Sequence, residues 1–227
     1  MDETLVIEQA ARAHTATDSI SPLAIDTGPH ALTQIYQAET NIAVWDRLLP
    51  LELTQDIEAM LKTGQSLALV QTVTPSDAAE WVRNKLSGHT CAKALGEDIA
   101  LIVDMFCCLF DVGEAGLRLT TLDKPMCPKF HVDHVPCRLV TTYSGSATQW
   151  LENGSADRSK LGAGSQGMPD HLSGLYQSDS DINQLKPGNI ALLKGSGWEG
   201  NESLGLIHRS PANLERQPRL LLTLDMV

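Results

Sequence analysis

The 227-residue chain has no uninterrupted apolar run approaching the roughly 18 residues that span a bilayer, so no membrane-spanning helix is predicted. Positive charge is scarce: 17 Lys and Arg stand against 28 Asp and Glu, a net charge of −11, and the basic residues are scattered rather than clustered. A chain of that sign is poorly attracted to phosphate backbones, and no nucleic-acid partner is expected. The opening Met1-Asp-Glu-Thr lacks the basic-then-apolar order of a secretory signal, from which a cytoplasmic location is expected. There Cys91, Cys107, Cys108, Cys127 and Cys137 would be thiols or metal ligands rather than a disulfide framework. Ser210 follows His208, but no Gly-x-Ser-x-Gly elbow is present to raise a serine nucleophile. There is no internal repeat.

What is there suits one substantial core: residues 1–40 are expected as a loosely structured arm and residues 41–227 as a single domain. Ile42-Ala-Val-Trp45 is strand-like, residues 51–61 carry apolar side chains at helical spacing until Gly64, and residues 66–74 alternate like a strand. A helix carrying Trp81, Val82 and Leu86 follows. Residues 95–112 are then apolar around most of a helical circumference, as in a helix largely buried against a sheet. Cys107 and Cys108 lie in that helix and read as small core residues. After Gly116 the period becomes two, in short runs at 117–122, 138–143, 148–151, 190–193, 204–207 and 219–224. Helices followed by strands predict an α+β fold, a β sandwich or barrel braced by N-terminal helices. Residues 153–181, rich in Gly, Ser and Asp, are expected as a long loop and a candidate lid.

One segment is dense in ligand types: Cys127-Pro-Lys-Phe-His131-Val-Asp133-His134-Val-Pro-Cys137. It has two incompatible solutions. His131 and Asp133 form two thirds of an iron-type facial triad, or Cys127, His131, His134 and Cys137 form a four-ligand zinc site. Both use His131. If the segment is a strand, His131 and Asp133 share a face while Val132 and His134 point away. A triad needs a third ligand, and Gly205-Leu-Ile-His208-Arg209 supplies a histidine at the end of a short apolar strand. A tight turn at Pro187-Gly188 precedes it, and a last strand starting at Arg219 follows. Adjacent antiparallel strands can bring a histidine and a basic side chain into one barrel mouth. Asp133 as a turn cap and His208 as a hydrogen-bonded core histidine remain the plain alternative. Trp150 and Trp198 are expected to fill the core.

His131-Val-Asp133, His208 and Arg219, in that order, resemble the double-stranded β-helix of the Fe(II)- and 2-oxoglutarate-dependent dioxygenases over residues 117–226. The resemblance implies a cupin-like jelly-roll barrel with Fe(II) held by His131, Asp133 and His208. It also implies 2-oxoglutarate paired with Arg219, a hydroxyl from Tyr143 or Thr141 on the same carboxylate, and oxidation of a small molecule or side chain. Gly145-Ser-Ala-Thr148 resembles the glycine turn into the next strand of that fold, whereas Leu221 stands where a hydroxyl residue is frequent. The whole chain also resembles an uncharacterised bacterial family that carries Phe-His-x-Asp-His-Val-Pro and is often associated with zinc-responsive genes. The rival expectations are a non-enzymatic zinc-binding or metal-homeostasis protein using the Cys/His cluster, and a cupin-like binding protein.

Overall fold

The computed structural model describes residues 23–211 and 218–227. The elements run β1 (Leu23–Asp26), β2 (Ile42–Trp45), α1 (Leu51–Lys62), β3 (Ala68–Val73), α2 (Ala78–Lys85), α3 (Ala92–Phe110), β4 (Ala115–Leu122) and β5 (Cys137–Ser144). They continue with β6 (Gln149–Leu151), α4 (Asp170–Ser173), β7 (Ile182–Gln184), β8 (Ile190–Lys194), β9 (Ile207–Arg209) and β10 (Arg219–Met226). The architecture is α+β. A seven-stranded mixed sheet has the order β1-β2-β8-β5-β10-β4-β3, and a three-stranded sheet has the order β7-β6-β9. Among the described residues only β1 and β2 pair in parallel.

The two faces of the large sheet follow from side-chain alternation. On β10, Leu220, Leu222 and Leu224 join the main core with Leu95, Ile99, Ile102, Val103 and Phe106 of α3. The helical spacing of those α3 residues makes one apolar stripe, which lies on the sheet. The other set on β10 comprises Arg219, Leu221, Thr223 and Asp225, and it faces away from the helices. On that side a second core joins the sheets through Ile42, Val44, Val140, Trp150, Leu193 and Leu206. Trp150 therefore fills core, and Trp198 packs partly buried against the main cluster. Cys107 is buried, whereas its neighbour Cys108 is exposed, one helical step (about 100°) round α3.

Two stretches differ from expectation. Within the expected N-terminal arm, Leu23–Asp26 is an edge strand on β2, and a 3-10 helix at Pro29–Tyr36 buries Ala31, Leu32 and Ile35. Scattered polar residues hid a short apolar triplet that suffices to dock it. Residues 1–22 of that arm lie outside the described residues. The long loop at 153–181 contains 3-10 turns and α4, and its Leu175 and Tyr176 form a third cluster with Phe130, Leu151 and Ile207. It is a packed insert. Among the described residues, no helix is long and apolar enough to cross a membrane.

Tyr143, expected to serve a cosubstrate, faces the helices instead. It is 1% exposed, and its hydroxyl donates to Asp98 Oδ2 of α3 at 2.6 Å. The same carboxylate receives a two-bond fork from Arg47 at 2.6 and 2.9 Å. Burial, with the Asp98 charge behind it, pushes the phenol well above its usual pKa, so it stays a donor. Thr141 shares this face by alternation, and its buried Oγ1 has no hydrogen-bond partner among the described residues. Tyr143→Phe, which strips one donor from a buried carboxylate, is expected to lower stability by about 1–3 kcal/mol in urea denaturation.

Candidate metal centre

His131 and His208 are brought together by the backbone. They form an isolated antiparallel bridge in which His131 N–H donates to the His208 carbonyl at 3.0 Å and His208 N–H donates to the His131 carbonyl at 2.9 Å. A pair that exchanges both bonds puts its side chains on one face of the ladder, and the two rings lie 4.6 Å apart between centroids. The bridge extends the small sheet by one residue beyond β9, since His208 also pairs with Trp150 of β6. The segment after His131 is irregular rather than the continuous strand expected. Asp133 nevertheless turns back to the same place.

One donor atom from each of His131, Asp133 and His208 lies within 4.8 Å of the others, the only such His/Cys/Asp/Glu group among the described residues. Asp133 Oδ1 is 3.7 Å from His131 Nε2, and Oδ2 is 3.4 Å from His208 Nε2. Each imidazole is oriented from behind. His131 Nδ1 bonds the Lys129 carbonyl at 2.9 Å and His208 Nδ1 bonds the Leu206 carbonyl at 3.1 Å. A carbonyl only accepts, so both Nδ1 atoms carry the proton and both Nε2 lone pairs face Asp133. Burial alone would raise the Asp133 carboxyl, but a hydrogen bond from His208 when its Nε2 is protonated, and the charges of His208, Arg138 and His131 in that protonated form, hold it at about 2. Burial and the neighbouring His208 lower the pKa of His131 and keep it neutral more easily than a free imidazole. Two neutral imidazoles and one carboxylate are a donor set that divalent iron accepts.

The segment 133–136 is held by the turn that follows β8. Ser196 N–H donates to the Asp133 carbonyl at 2.8 Å, and Gly195 N–H to the Pro136 carbonyl at 2.9 Å. A Cβ on Gly195 would overlap the Val135 carbonyl oxygen, so glycine is required for this approach. Asp170 of α4 ties the two histidine segments from the insert. One of its oxygens accepts from Phe130 N–H and from Arg209 Nη1, each at 3.0 Å.

Arg219 is 6% exposed and sits at the start of β10, on the face turned from the helices. Its Nε and Nη2 donate to Thr142 Oγ1 at 3.3 and 3.0 Å, and Nη2 donates to Thr148 Oγ1 at 2.8 Å. The hydroxyls on Arg219 thus come from Thr142 and Thr148, in place of Thr141 and Tyr143. Thr142 alternates with Thr141 onto the face that carries Arg219 and Leu221. Gly145, at φ 81°, lets the turn after β5 pass within 3.0 Å of the Arg219 Cα, measured from an added Cβ. No carboxylate pairs with Arg219 among the described residues, and burial lowers its pKa to about 10. A buried guanidinium of this kind is a candidate site for an anion.

The four-ligand Cys/His set is not gathered. Cys137 is 0% exposed and belongs to the helix-side core, where burial pushes its thiol well up. As the first residue of β5 it alternates with Leu139, away from the triad. Cys127 is exposed, and His134 Nδ1 lies 3.1 Å from Ser196 Oγ. Two partners of the triad escaped the sequence pattern, Arg138 and Asp225. Arg138 Nη1 donates to Asp133 Oδ2 at 2.8 Å, and its Nε and Nη2 fork onto Asp225 at 2.7 and 3.0 Å. Period-two counting from Arg219 puts Asp225 on the same face, a signal that was available.

No curated protein matches the chain. Among solved structures it is similar to a dioxygenase for auxin oxidation from rice, at 13% identity over 91% of this chain and 83% of that one, with a TM-score of 0.49. It is also similar to a Pseudomonas putida prolyl-4-hydroxylase, at 10% identity over 86% and 96% with a TM-score of 0.42. A third is SnoN, a non-heme alpha ketoglutarate dependent epimerase from nogalamycin biosynthesis, at 12% identity over 85% and 78% with a TM-score of 0.40. Likenesses this distant decide nothing about activity or substrate. The model of the family described as "Protein of unknown function (DUF1826)" matches residues 26–225, and the chain belongs to that family.

Proposed function

We propose that this chain is an Fe(II)- and 2-oxoglutarate-dependent oxygenase whose two sheets form a double-stranded β-helix, and that it oxidises a small molecule or side chain. The observation that carries this reading is the pairing of His131 with His208, which converges two Nε2 atoms on Asp133 within 4.8 Å. His131, Asp133 and His208 would hold the iron, and three protein donors leave positions for a keto acid and dioxygen. Bound iron would supply the redox chemistry that couples keto-acid decarboxylation by dioxygen to substrate oxidation. Arg219 would bind the distal carboxylate of 2-oxoglutarate, with Thr142 and Thr148 fixing the guanidinium plane. The Lys129 and Leu206 carbonyls keep each ligand histidine in the metal-binding tautomer. Five free cysteines suit a reducing compartment, the cytoplasm.

Anaerobically purified protein is expected to retain iron and, with 2-oxoglutarate and dioxygen, to release succinate; His208→Ala should abolish both. Tight zinc binding with no turnover, unchanged by His208→Ala, would overturn the proposal. Iron and keto-acid binding without succinate under any substrate screened would instead favour a cupin-like binding protein. Arg219→Leu should weaken 2-oxoglutarate binding by about thirtyfold or more, the equivalent of about 2 kcal/mol for a buried charge pair, with iron content unchanged in parallel metal analysis.

The pH dependence of metal retention follows from the imidazoles. The Asp133 carboxyl, at about 2, remains ionised throughout the useful range. The lowered pKa of His131 delays its protonation to below the ordinary value of 6.5. Protonation of His131 is therefore expected to cost metal affinity only as the pH falls below 6.5, measured by equilibrium dialysis in wild type.

A further inference from the structure

We propose that Arg138, clamped by Asp225, is a positioning residue that reserves one oxygen of Asp133 and leaves the other to the metal. This rests on the oxygenase reading of the triad. Arg138 and Asp225 are direct cross-strand partners on β5 and β10. The side of the guanidinium formed by Nε and Nη2 grips both Asp225 oxygens, at 2.7 and 3.0 Å. That fork fixes the plane and aims the remaining Nη1 at Asp133 Oδ2, 2.8 Å away. Asp225 is held in turn by Arg118 of β4. Positive and negative groups therefore alternate along Arg118, Asp225, Arg138 and Asp133, and the row leaves no net charge.

The consequence lies in how the two carboxylate oxygens are shared. Asp133 Oδ1 accepts no hydrogen bond among the described residues, and His131 Nε2 lies 3.7 Å from it. Oδ2 accepts from Arg138 Nη1 at 2.8 Å and lies 3.4 Å from His208 Nε2. A free aspartate can bind a divalent cation through both oxygens and so occupy one more position around it. With Oδ2 taken, Asp133 offers a single oxygen, and a position is kept for the keto acid. A guanidinium with three fixed bonds can do this, while a lysine ammonium in its place would be a point charge free to swing.

The test uses Co(II) as a spectroscopic probe in the full chain, with Arg138→Met, Arg138→Lys and Asp225→Asn. Wild type should bind Co(II), and 2-oxoglutarate should then shift its visible spectrum. In Arg138→Met the Co(II) affinity is expected to hold or rise while the Co(II) spectrum changes and 2-oxoglutarate binds about ten- to a hundredfold more weakly, the usual range for loss of a group behind a ligand. Asp225→Asn and Arg138→Lys should move the same readouts in the same direction by less, and they carry the test if Arg138→Met does not fold. An unchanged spectrum with unchanged keto-acid affinity would overturn the proposal. So would parallel loss of Co(II) and keto acid in all three variants, the signature of general distortion. Wild type that takes no Co(II) would remove the oxygenase reading itself, an outcome distinct from either.

Discussion

The pair of main-chain hydrogen bonds between His131 and His208 is the constraint on which the site depends. It joins two segments remote in sequence through main-chain groups alone. An antiparallel bridge of this kind fixes distance and facing together. The side-chain work that remains is small: two carbonyls set the tautomers, and one arginine sets the carboxylate. A metal site assembled from flexible side chains would have to pay their ordering entropy when the ion arrived. Here most of that ordering is already done by the sheet.

Around this bridge the molecule divides its labour between two faces of one sheet. The helix side is apolar and closed, with the Arg47–Asp98–Tyr143 group as a buried polar island. The opposite side carries Arg219, Thr142, Arg138 and Asp225, which would be costly in a core unless paired. Asp225 and Arg138 pair with each other. Among the described residues Arg219 meets only hydroxyls, whereas Arg138 on the adjacent strand meets two carboxylates.

Much of the fold was legible in the sequence. The three main helices and the strands around residues 117–122, 138–143, 190–193 and 219–224 follow from period and from breaker residues. The hidden parts were short or irregular. β1 and β7 are too short to show a period, with four and three residues. The docked 3-10 helix at Pro29–Tyr36 has three buried residues among polar ones. The candidate ligands His131, Asp133 and His208 were legible from residue type and order. Their supports were less so. Tyr143 and Thr141 were placed one residue off because the sequence does not say which face of β5 is apolar: Cys137, Leu139 and Val140 leave both phases open. Gly195-Ser-Gly197 looks like an ordinary loop until the chain it backs onto is known, and contact between 133–136 and 195–197 is a tertiary fact.

Asp170 has a wider effect than its hydrogen bonds suggest. One carboxylate holds the amide beside His131 and the side chain beside His208, so the insert and both histidine segments are tied through one group. Linkage then runs in both directions: a cation at the triad stabilises the insert by as much as an ordered insert favours the cation. A molecule that bound and rearranged residues 153–181 would therefore change the affinity of the triad for a cation without touching it.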